Sequence, residues 1–463
     1  MSFFSFIKTP APITPLTDQS VIDKTYKKHR LQNLYSMIIG YAAFYFVRKN
    51  FSIALPILLK ETGFSKTDFG FILTAFSIVY GFGKFFNGVL ADKLNARYFM
   101  AFGLLCSAVV NLFFGMSSGL TFFAIFWIAN AWFQSMGMPP SVRLLTQWYS
   151  PTELGTKWAL QSTAHQIGSA GIMLLCANYV IPHFGWRGAF FVPAIIAVVI
   201  ALWLVERLRD NPRALGLPAV ETHRGETHIY DSDTETSATF KEILFQHVLT
   251  NKYIWIVALA NCFVYVARMG IVDWAPTFFT EARGNSLAGA GFKAASFEIA
   301  GVGGCLLAGW LSDTLFKGRR GPLAAVSMLI LSAVFLGFVF LPVGHNLVET
   351  MLLMSAGILV YGPQLLVPVA AADFAGKKAA ATATGMTGQA GYLGAALSGI
   401  GTGLIVDKWG WNGGMIFFSV CTLLGALLFM LIWNKRSVAL EAHHNKTTIK
   451  HEGCCAGPKS NNT

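Results

Sequence analysis

Two arginines lie inside apolar stretches of the chain, where a charged side chain is expensive. Arg48 belongs to the stretch Gly40–Phe51, and Arg268 belongs to the stretch Val264–Gly270. A charge at the centre of a membrane-spanning helix costs at least ~2.5–3.5 kcal/mol, so both positions need a physical reason. Snorkelling to a membrane interface is one such reason. A bound anion is the other, because the planar guanidinium fork matches the oxygens of a phosphate.

An internal repeat relates the two arginines. The motif Tyr45-x-x-Arg48 recurs 220 positions later as Tyr265-x-x-Arg268. In a two-fold arrangement, equivalent residues face each other across the axis, and two facing guanidinium groups repel unless an anion lies between them. The repeat therefore favours binding over snorkelling, and it predicts one shared site for a phosphate-bearing small anion.

Five further side chains are candidates for the same site. Tyr41 and Tyr45 are four residues apart and share a helix face, and Tyr45 and Tyr265 each precede an arginine by three residues. Their hydroxyls could bond the ligand, or the rings could belong to an interfacial aromatic belt. Lys84 lies mid-span, where it could attract anions or pair with a carboxylate. His165 can hold a proton opposite a phosphate, although a lone histidine is often a satisfied polar residue.

Acidic residues in or near the apolar stretches offer partners for these cations. Glu298 lies well inside one stretch, and Asp273 follows Arg268 by five residues, so it points to a different side of its helix. Either acid could pair with Lys49 or Lys84 in a gate that breaks and re-forms. Either could instead couple proton movement to transport, and the residues alone leave both readings open.

The elements that must position these residues are long apolar helices. Hydrophobic residues make up 54% of the 463-residue chain, and charged residues only 13%, against about a quarter in soluble domains. Stretches of about 20 apolar residues are long enough to cross the hydrocarbon core of a bilayer. We therefore expect an all-α membrane protein with twelve spans, near 33–58, 69–91, 98–116, 120–147, 154–181, 188–206, 252–280, 290–314, 322–342, 348–372, 379–405 and 413–434.

Basic residues between the spans predict the topology. The net charge is +12, and its lysines and arginines cluster in alternate loops, as in Lys93, Arg97, Lys317, Lys377 and Lys378. An excess of positive charge marks the cytoplasmic side, so both termini are expected there, in a bacterial inner membrane. The predicted division is a cytoplasmic segment 1–31, a six-helix half 32–206, a flexible linker 207–250, a second half 251–434 and a cytoplasmic tail 435–463.

Two further repeats support this 6 + 6 division. Phe184-Gly-Trp-Arg-Gly188 recurs as Trp409-Gly-Trp-Asn-Gly413. The loop between the second and third spans carries Gly88 and Asp92 in one half, and Gly309 and Asp313 in the other. Both loops resemble the conformational signature of the major facilitator superfamily, in which glycine is expected to allow close helix approach and aspartate to sit against a helix N-terminus.

Nearly the whole chain resembles one family of that superfamily, the organophosphate:phosphate antiporters. The resemblance rests on Gly40-Tyr41 through Phe51, Lys84, Phe133-Gln134, Tyr265-x-x-Arg268, Asp273-Trp274, Tyr361-Gly-Pro-Gln364, Lys377-Lys378-Ala-Ala380 and Gly410-Trp-x-Gly-Gly414. It is strongest toward the bacterial hexose-phosphate sensor/transporter branch. The resemblance implies glucose 6-phosphate as the ligand, with its phosphate held by the two arginines.

The chain departs from the family pattern in two spans. Many members carry Trp-Asn-x-x-His-Asn in the fifth span, whereas this chain has Gln161-Ser-Thr-Ala-His165-Gln166. In the eleventh span, Thr384 and Thr387 stand where some hexose-phosphate carriers have an aspartate and a lysine. The second departure matches the sensor-like branch better than the main carrier.

Three functions are compatible with these residues. The first is a carrier that exchanges a sugar phosphate for inorganic phosphate by alternating access. The second is a membrane receptor that senses external glucose 6-phosphate and signals to a sensor kinase, and the third is a proton-coupled symporter. The sequence contains no nucleophile–base pair, phosphate-cradling glycine loop, metal-ligand cluster or nucleic-acid module. We therefore expect a monomeric, non-enzymatic protein with no cofactor and no metal, surrounded by lipid.

Overall fold

The computed structural model describes residues 10, 13–225, 245, 248–316, 318–375 and 379–435. The predictions for residues 1–9, for 226–244 of the linker and for the tail from 436 onward lie outside the described residues. Lys317, Lys377 and Lys378 lie outside them as well.

The described chain folds into α-helices joined by short turns. In chain order they are α1 (Gln19–Thr62), α2 (Lys66–Lys93), α3 (Ala96–Met116), α4 (Leu120–Gln134), α5 (Met138–Trp148), α6 (Pro151–Leu175), α7 (Ile181–Arg207), α8 (Val220–Arg224), α9 (Lys252–Glu281), α10 (Leu287–Thr314), α11 (Arg320–Phe340), α12 (Asn346–Ala375) and α13 (Ala380–Met430). A π-helical turn (Cys176–Val180) joins α6 to α7, and a 3₁₀ turn (Pro212–Leu215) precedes α8.

Nine helices in the described part of the chain are long and apolar enough to cross a membrane. Two of them are much longer than the roughly 20 residues that one crossing needs. Glu153–Arg207 has 55 residues and runs from α6 through the π-helical turn into α7, and Thr382–Met430, within α13, has 49. Each is broken near its middle by a glycine with positive φ. If each of these two helices crosses twice, and if α4 and α5 together cross once, the number of crossings becomes twelve. The predicted number of twelve stays a prediction.

The breaks in the two long helices fall at equivalent positions of the repeat. Gly185 has φ 66° and ψ −174°, and Gly410 has φ 69° and ψ −175°. This left-handed region is costly for any residue with a Cβ, so glycine is required at both sites. The Phe184–Gly188 repeat therefore specifies the same backbone turn in each half.

A tryptophan next to each glycine ties the turn to the first helix of its half. Trp186 Nε1 donates to Glu61 Oε2 at 2.9 Å, and Trp411 Nε1 donates to Glu281 Oε2 at 3.0 Å. The two-fold relation between the halves thus extends from the sequence to individual hydrogen bonds.

Each half, α1–α7 and α9–α13, packs mainly around its own apolar side chains, and Met173 and Trp274 each reach into the core of the other half. Three helix pairs join the halves: α1 with α9, α2 with α13, and α6 with α10. We call the side that carries residues 208–225 the linker face. The side that carries the α1–α2 turn, Gly63–Ser65, is the opposite face.

The loop signature after α2 does not behave as predicted. A Cβ at Gly88 would meet no atom within 4 Å, so no close helix approach explains the glycine here, and at Gly309 the nearest atom is 3.9 Å away. The exposed Asp92 does not cap α3. Asn95 and Asp210 do so instead, Asn95 Oδ1 accepting the backbone N–H of Arg97 at 3.1 Å and Asp210 accepting that of Ala96 at 2.7 Å. In the second half, Asp313 accepts a 2.6 Å hydrogen bond from an arginine at the start of α11.

The first part of the linker is bonded to the first half rather than flexible. Tyr26 donates its hydroxyl hydrogen bond to Pro218 O at 2.5 Å, and Arg224 pairs with Glu153 at 3.0 Å. As far as Gly225, therefore, the chain between the halves moves with α1 and α6.

The paired glycine breaks give a stability prediction. Gly185→Ala and Gly410→Ala should each destabilise the protein by about 1–2 kcal/mol, because alanine must adopt a left-handed backbone. The unfolding midpoint of the purified protein, followed by intrinsic fluorescence, measures this. Gly155→Ala is the matched control, since a Cβ there meets nothing within 4 Å and lies in an ordinary helix. Equal midpoints for all three variants would contradict the requirement.

Candidate functional site

Arg48 projects from the middle of α1 into an aromatic pocket. It directly follows Val47, the residue at which α1 leaves helical geometry, and it is 8% exposed. Its guanidinium carbon lies 4.3 Å from the ring centre of Tyr80, 5.1 Å from that of Phe76 and 5.5 Å from that of Tyr45. Ring faces stabilise a cation without neutralising it, so the positive charge remains available to a ligand.

Arg268 has an equivalent environment in the second half. It lies on α9, is 5% exposed, and has its guanidinium carbon 4.9 Å from the ring centre of Tyr361 and 5.9 Å from that of Tyr265. Its Nη2 donates to Tyr361 Oη at 3.4 Å, and its Nε has no partner among the described residues. A buried guanidinium nitrogen without an acceptor is a place where a ligand oxygen fits.

Within the described part of the chain, neither arginine forms an ion pair. Among the described residues, no carboxylate oxygen lies within 4.0 Å of a guanidinium nitrogen of Arg48 or Arg268. Buried charges in folded proteins are almost always paired, so two buried cations without a carboxylate partner in the described part of the chain make this interior a candidate anion site.

Six tyrosines surround the arginines, and we call them the tyrosine cradle: Tyr41, Tyr45, Tyr80, Tyr265, Tyr361 and Tyr392. Tyr392 links the two halves, with its ring centre 5.2 Å from that of Tyr80 and 5.8 Å from that of Tyr265. Sequence reasoning selected three of the six as site residues. It missed Tyr361, which stands in the quoted motif Tyr361–Gln364, Tyr80, which precedes Lys84 by four residues and so shares its helix face, and Tyr392, for which there was no signal.

His165 sits between the halves inside the cradle. Its ring centre lies 5.6 Å from that of Tyr45 and 5.9 Å from that of Tyr361. Its Nε2 is buried and has no hydrogen-bond partner among the described residues. A satisfied structural histidine would have one, so this geometry favours the ligand reading that the sequence left open.

Lys84 meets an aromatic phenol across the interface between the halves. Its Nζ lies 3.4 Å from Tyr392 Oη and 5.5 Å from the centre of that ring. No ion pair of Lys84 occurs among the described residues, so the carboxylate partner considered from the sequence is not found.

Lys49 and Asp273 form a buried ion pair between the halves. Lys49 Nζ donates to Asp273 Oδ1 at 2.6 Å, and Ser52 Oγ lies 3.3 Å from the same oxygen. Lys49 is 3% exposed. Of the two lysines considered as partners for Asp273, the fold therefore selects Lys49.

Glu298 bridges the halves without a lysine. It accepts hydrogen bonds from Ser169 Oγ at 2.9 Å and from the hydroxyl of Tyr361. The same Tyr361 hydroxyl accepts from Arg268. A ligand that draws Arg268 toward itself would therefore disturb the bond that reaches α6 in the first half.

Further bonds close the opposite face above these pairs. Asp407 of α13 accepts from both the backbone N–H and the hydroxyl of Thr67, each at 2.7 Å, so it caps α2 of the other half. Lys66 pairs with Glu281 at 3.1 Å. Between the opposite face and the level of Lys84, the halves are thus joined by direct bonds.

The site contains no recognisable metal centre. In the part of the chain that the structure describes, no group of three or more histidine, cysteine, aspartate or glutamate side chains could hold a metal ion.

Comparison with known protein families identifies the family to which this helical chain belongs. Residues 37–399 match the family model of the Major Facilitator Superfamily. The chain belongs to the Major Facilitator Superfamily. Membership confirms the predicted fold, and it identifies a multi-pass membrane transport protein and not an enzyme.

Relatives within the Major Facilitator Superfamily match almost end to end. The chain is 41% identical over 451 residues to a probable hexose phosphate transport protein of Chlamydia trachomatis, covering 94% of this chain and 97% of the relative. It is 43% identical to a glycerol-3-phosphate transporter of Bacillus subtilis, with 92% and 97% covered. It is 39% identical to the membrane sensor protein UhpC of Escherichia coli, with 93% and 98% covered.

A solved structure shares the fold at low sequence identity. A bacterial homologue of the human lysosomal transporter Spinster, in an inward-facing and unoccupied conformation, superposes with a TM-score of 0.75 at 15% identity. The alignment covers 87% of this chain and 97% of that structure.

The inter-half ion pair gives a stability prediction. Lys49→Met or Asp273→Leu alone should cost about 3–5 kcal/mol, because each leaves an unpaired charge in a buried site. The double variant should recover much of that loss. Lys66→Gln is the comparison, since Lys66 and Glu281 are 22% and 32% exposed and such a pair contributes about 1 kcal/mol or less.

Unfolding midpoints of the four variants in one detergent measure the effect. Single and double variants that lose the same amount would contradict the pairing.

Proposed function

We propose that this protein carries a phosphate-bearing small anion across the membrane, in exchange for inorganic phosphate. The observation that carries the proposal is the pair of buried arginines, Arg48 and Arg268, with no carboxylate partner. Guanidinium groups bind phosphate oxygens through two parallel hydrogen bonds, and the tyrosine cradle adds hydroxyl donors around them.

The charge of the site supports a phosphate monoester as the ligand. Its four cations are Arg48, Arg268, Lys49 and Lys84. Asp273 and Glu298, when ionised, leave two positive charges uncompensated. A phosphate monoester carries about −1.5 to −2 at pH 7, which offsets that excess. A neutral sugar would leave it in place.

The same excess charge explains why exchange should be obligatory. An empty site that changes its exposure carries two uncompensated cations through a low-dielectric interior, which costs free energy. With inorganic phosphate or an organic phosphate bound, most of that cost disappears. The carrier then rocks readily only when it is loaded, so each outward step requires a ligand just as each inward step does.

The bonds between the halves supply a gate for this movement. In the structure, Lys49–Asp273 and Thr67–Asp407 close the opposite face. We assign the opposite face to the outside of a bacterial inner membrane and the linker face, with both termini, to the cytoplasm, because basic loop residues favour that orientation. Opening the site to the outside would break both contacts. New contacts between the halves at the linker face would offset the free energy lost with them.

Glucose 6-phosphate is the organic phosphate that we propose. The relative from Chlamydia trachomatis is named for hexose phosphate, and the one from Bacillus subtilis for glycerol 3-phosphate, so the phosphate is common and the organic part is not. A competition assay separates these ligands. Glucose 6-phosphate should displace labelled inorganic phosphate at lower concentration than glycerol 3-phosphate or 3-phosphoglycerate, and the reverse order would contradict the assignment.

Exchange is tested with purified protein in proteoliposomes. Vesicles loaded with inorganic phosphate should accumulate labelled glucose 6-phosphate, and empty vesicles should accumulate very little. Equal uptake by both would exclude obligatory exchange, and uptake driven by a pH gradient into phosphate-free vesicles would show proton symport instead.

The arginines are tested by substitution with lysine, which keeps the charge and removes the fork. Arg48→Lys and Arg268→Lys should each reduce phosphate exchange at least a hundredfold, since about 3 kcal/mol of charge-assisted hydrogen bonding is lost. Arg187→Lys is the control, because Arg187 lies over Trp186 outside the site, 4.3 Å from its ring centre. Full exchange by both site variants would exclude the binding role.

A receptor for external glucose 6-phosphate is the second candidate. The likeness to the sensor protein of Escherichia coli supports it, as do Thr384 and Thr387 in the eleventh span. In this case the same site would bind the sugar phosphate, and a sensor-kinase partner would read the conformation at the cytoplasmic surface. Tight binding of glucose 6-phosphate without measurable flux in the proteoliposomes would favour the receptor.

A further inference from the structure

Helix α1 departs from helical geometry at Val47. This residue has φ −97° and ψ 21°, whereas an α-helix has ψ near −42°. Proline is the usual cause of such a bend, but the proline of α1, Pro56, lies nine residues further on. The bend therefore needs another explanation, and it stands directly before Arg48 and Lys49.

Two buried asparagines from other helices bind the carbonyl oxygen of Val47. Asn111 of α3 donates its Nδ2 to this oxygen at 3.0 Å, and Asn130 of α4 does so at 2.9 Å. Both asparagines are 0% exposed. One carbonyl thus accepts from two side-chain amides, which draws it away from the axis of its own helix.

A third asparagine, on α1 itself, holds this arrangement from the other side. Asn50 donates its Nδ2 to Asn111 Oδ1 at 2.9 Å and to Ala189 O of α7 at 3.0 Å. Asn111 also donates to Ser107 O at 2.9 Å, so its amide is fully engaged. We call Asn50, Asn111 and Asn130 the asparagine triad, and it joins α1, α3, α4 and α7.

The second half has no equivalent of the triad. The repeat places Ala267 opposite Val47 and Gly270 opposite Asn50, and α9 shows no break in helical geometry. A Cβ at Gly270 would collide with the ring of Phe418. The two arginines therefore differ: Arg268 stands on a helix whose backbone angles stay helical, and Arg48 follows the departure at Val47, which two asparagines bond directly.

Burying three amides in an apolar helix bundle costs desolvation free energy, which apolar side chains at the same positions would not cost. Leucine would fill the same space and contribute hydrophobic burial, while each amide must find partners to offset its desolvation. Two of the three amides, those of Asn111 and Asn130, bond the carbonyl of the peptide before Arg48, and the third, that of Asn50, bonds Asn111. Simple polar packing between helices would spread such contacts along their length.

We propose that the asparagine triad is a positioning site, which holds α1 bent at Val47 and thereby directs Arg48 to the phosphate and Lys49 to Asp273. This inference rests on the proposed function for its effect on the ligand. Adjacent helical residues point about 100° apart. The bend adjusts both directions together, so one device sets the binding cation and the gate cation.

The first test compares phosphate affinity with stability. Asn111→Leu and Asn130→Leu keep the number and branching of the side-chain heavy atoms and remove the donors to Val47. Each should raise the Kd for inorganic phosphate about tenfold, because a hydrogen bond that aligns Arg48 is lost. Asn87→Leu is the matched control. Asn87 is also 0% exposed and donates to Ser135 Oγ at 2.7 Å and to Trp132 O at 3.5 Å, both outside α1.

Calorimetric titration with inorganic phosphate and unfolding midpoints are measured on all variants in detergent. A selective loss of affinity in the triad variants, at midpoints no lower than that of Asn87→Leu, supports the proposal. Unchanged affinity in Asn111→Leu and Asn130→Leu overturns it. If Asn111→Leu or Asn130→Leu fails to fold, Asn130→Ser is used in its place. Serine is smaller than asparagine, and this variant removes the amide of residue 130 while Asn111 keeps its bond to Val47.

The second test does not depend on ligand binding. A structure of the Asn111→Leu/Asn130→Leu variant should show Val47 with helical ψ and the Arg48 guanidinium moved from its place 4.3 Å from the Tyr80 ring. An unchanged bend and an unchanged Arg48 would overturn the positioning role. If the wild-type protein binds no phosphate, the proposed function is wrong. The structure of the double variant then still tests whether the asparagine triad holds α1 bent at Val47.

Discussion

The structure depends on keeping two guanidinium groups charged inside a membrane protein without carboxylates to neutralise them. Such charges are tolerated where aromatic faces and hydroxyl groups replace water. Arg48 and Arg268 each have this environment, with ring centres between 4.3 and 5.9 Å from the guanidinium carbon. A carboxylate in the same place would neutralise the guanidinium charge, so the proposed binding of a phosphate depends on this incomplete compensation.

The carboxylates of the interior are used elsewhere, in bonds between the halves. Asp273 holds Lys49, and Glu298 holds Ser169 and Tyr361. Each of these bonds must break if the halves separate on that side. The arginines and the Lys49–Asp273 pair belong to the same helices, and Arg268 is linked to the Glu298–Ser169 bond through the hydroxyl of Tyr361.

The two-fold relation between the halves is close but incomplete. It holds for the glycine turns at Gly185 and Gly410 and for the tryptophan–glutamate bonds beside them. It fails at the first helix of each half, where only α1 is bent. An asymmetric ligand, with a phosphate at one end and a larger group at the other, is better matched by two arginines in different settings than by two identical ones.

The sequence by itself determined the class of protein and the centre of the site. Helix length and hydropathy are local properties, and the repeat of Tyr45-x-x-Arg48 is visible along the chain, so the membrane class and the paired arginines could be predicted, while the family followed from the resemblance of short motifs such as Tyr361–Gln364. The tertiary structure alone decided that Lys49 pairs with Asp273, that Asp210 rather than Asp92 caps α3, that Tyr392 completes the cradle, and that Val47 is bent. These contacts join residues from 64 to 308 positions apart. They depend on how each helix is rotated about its axis, and that rotation is set by the packing of all the helices together.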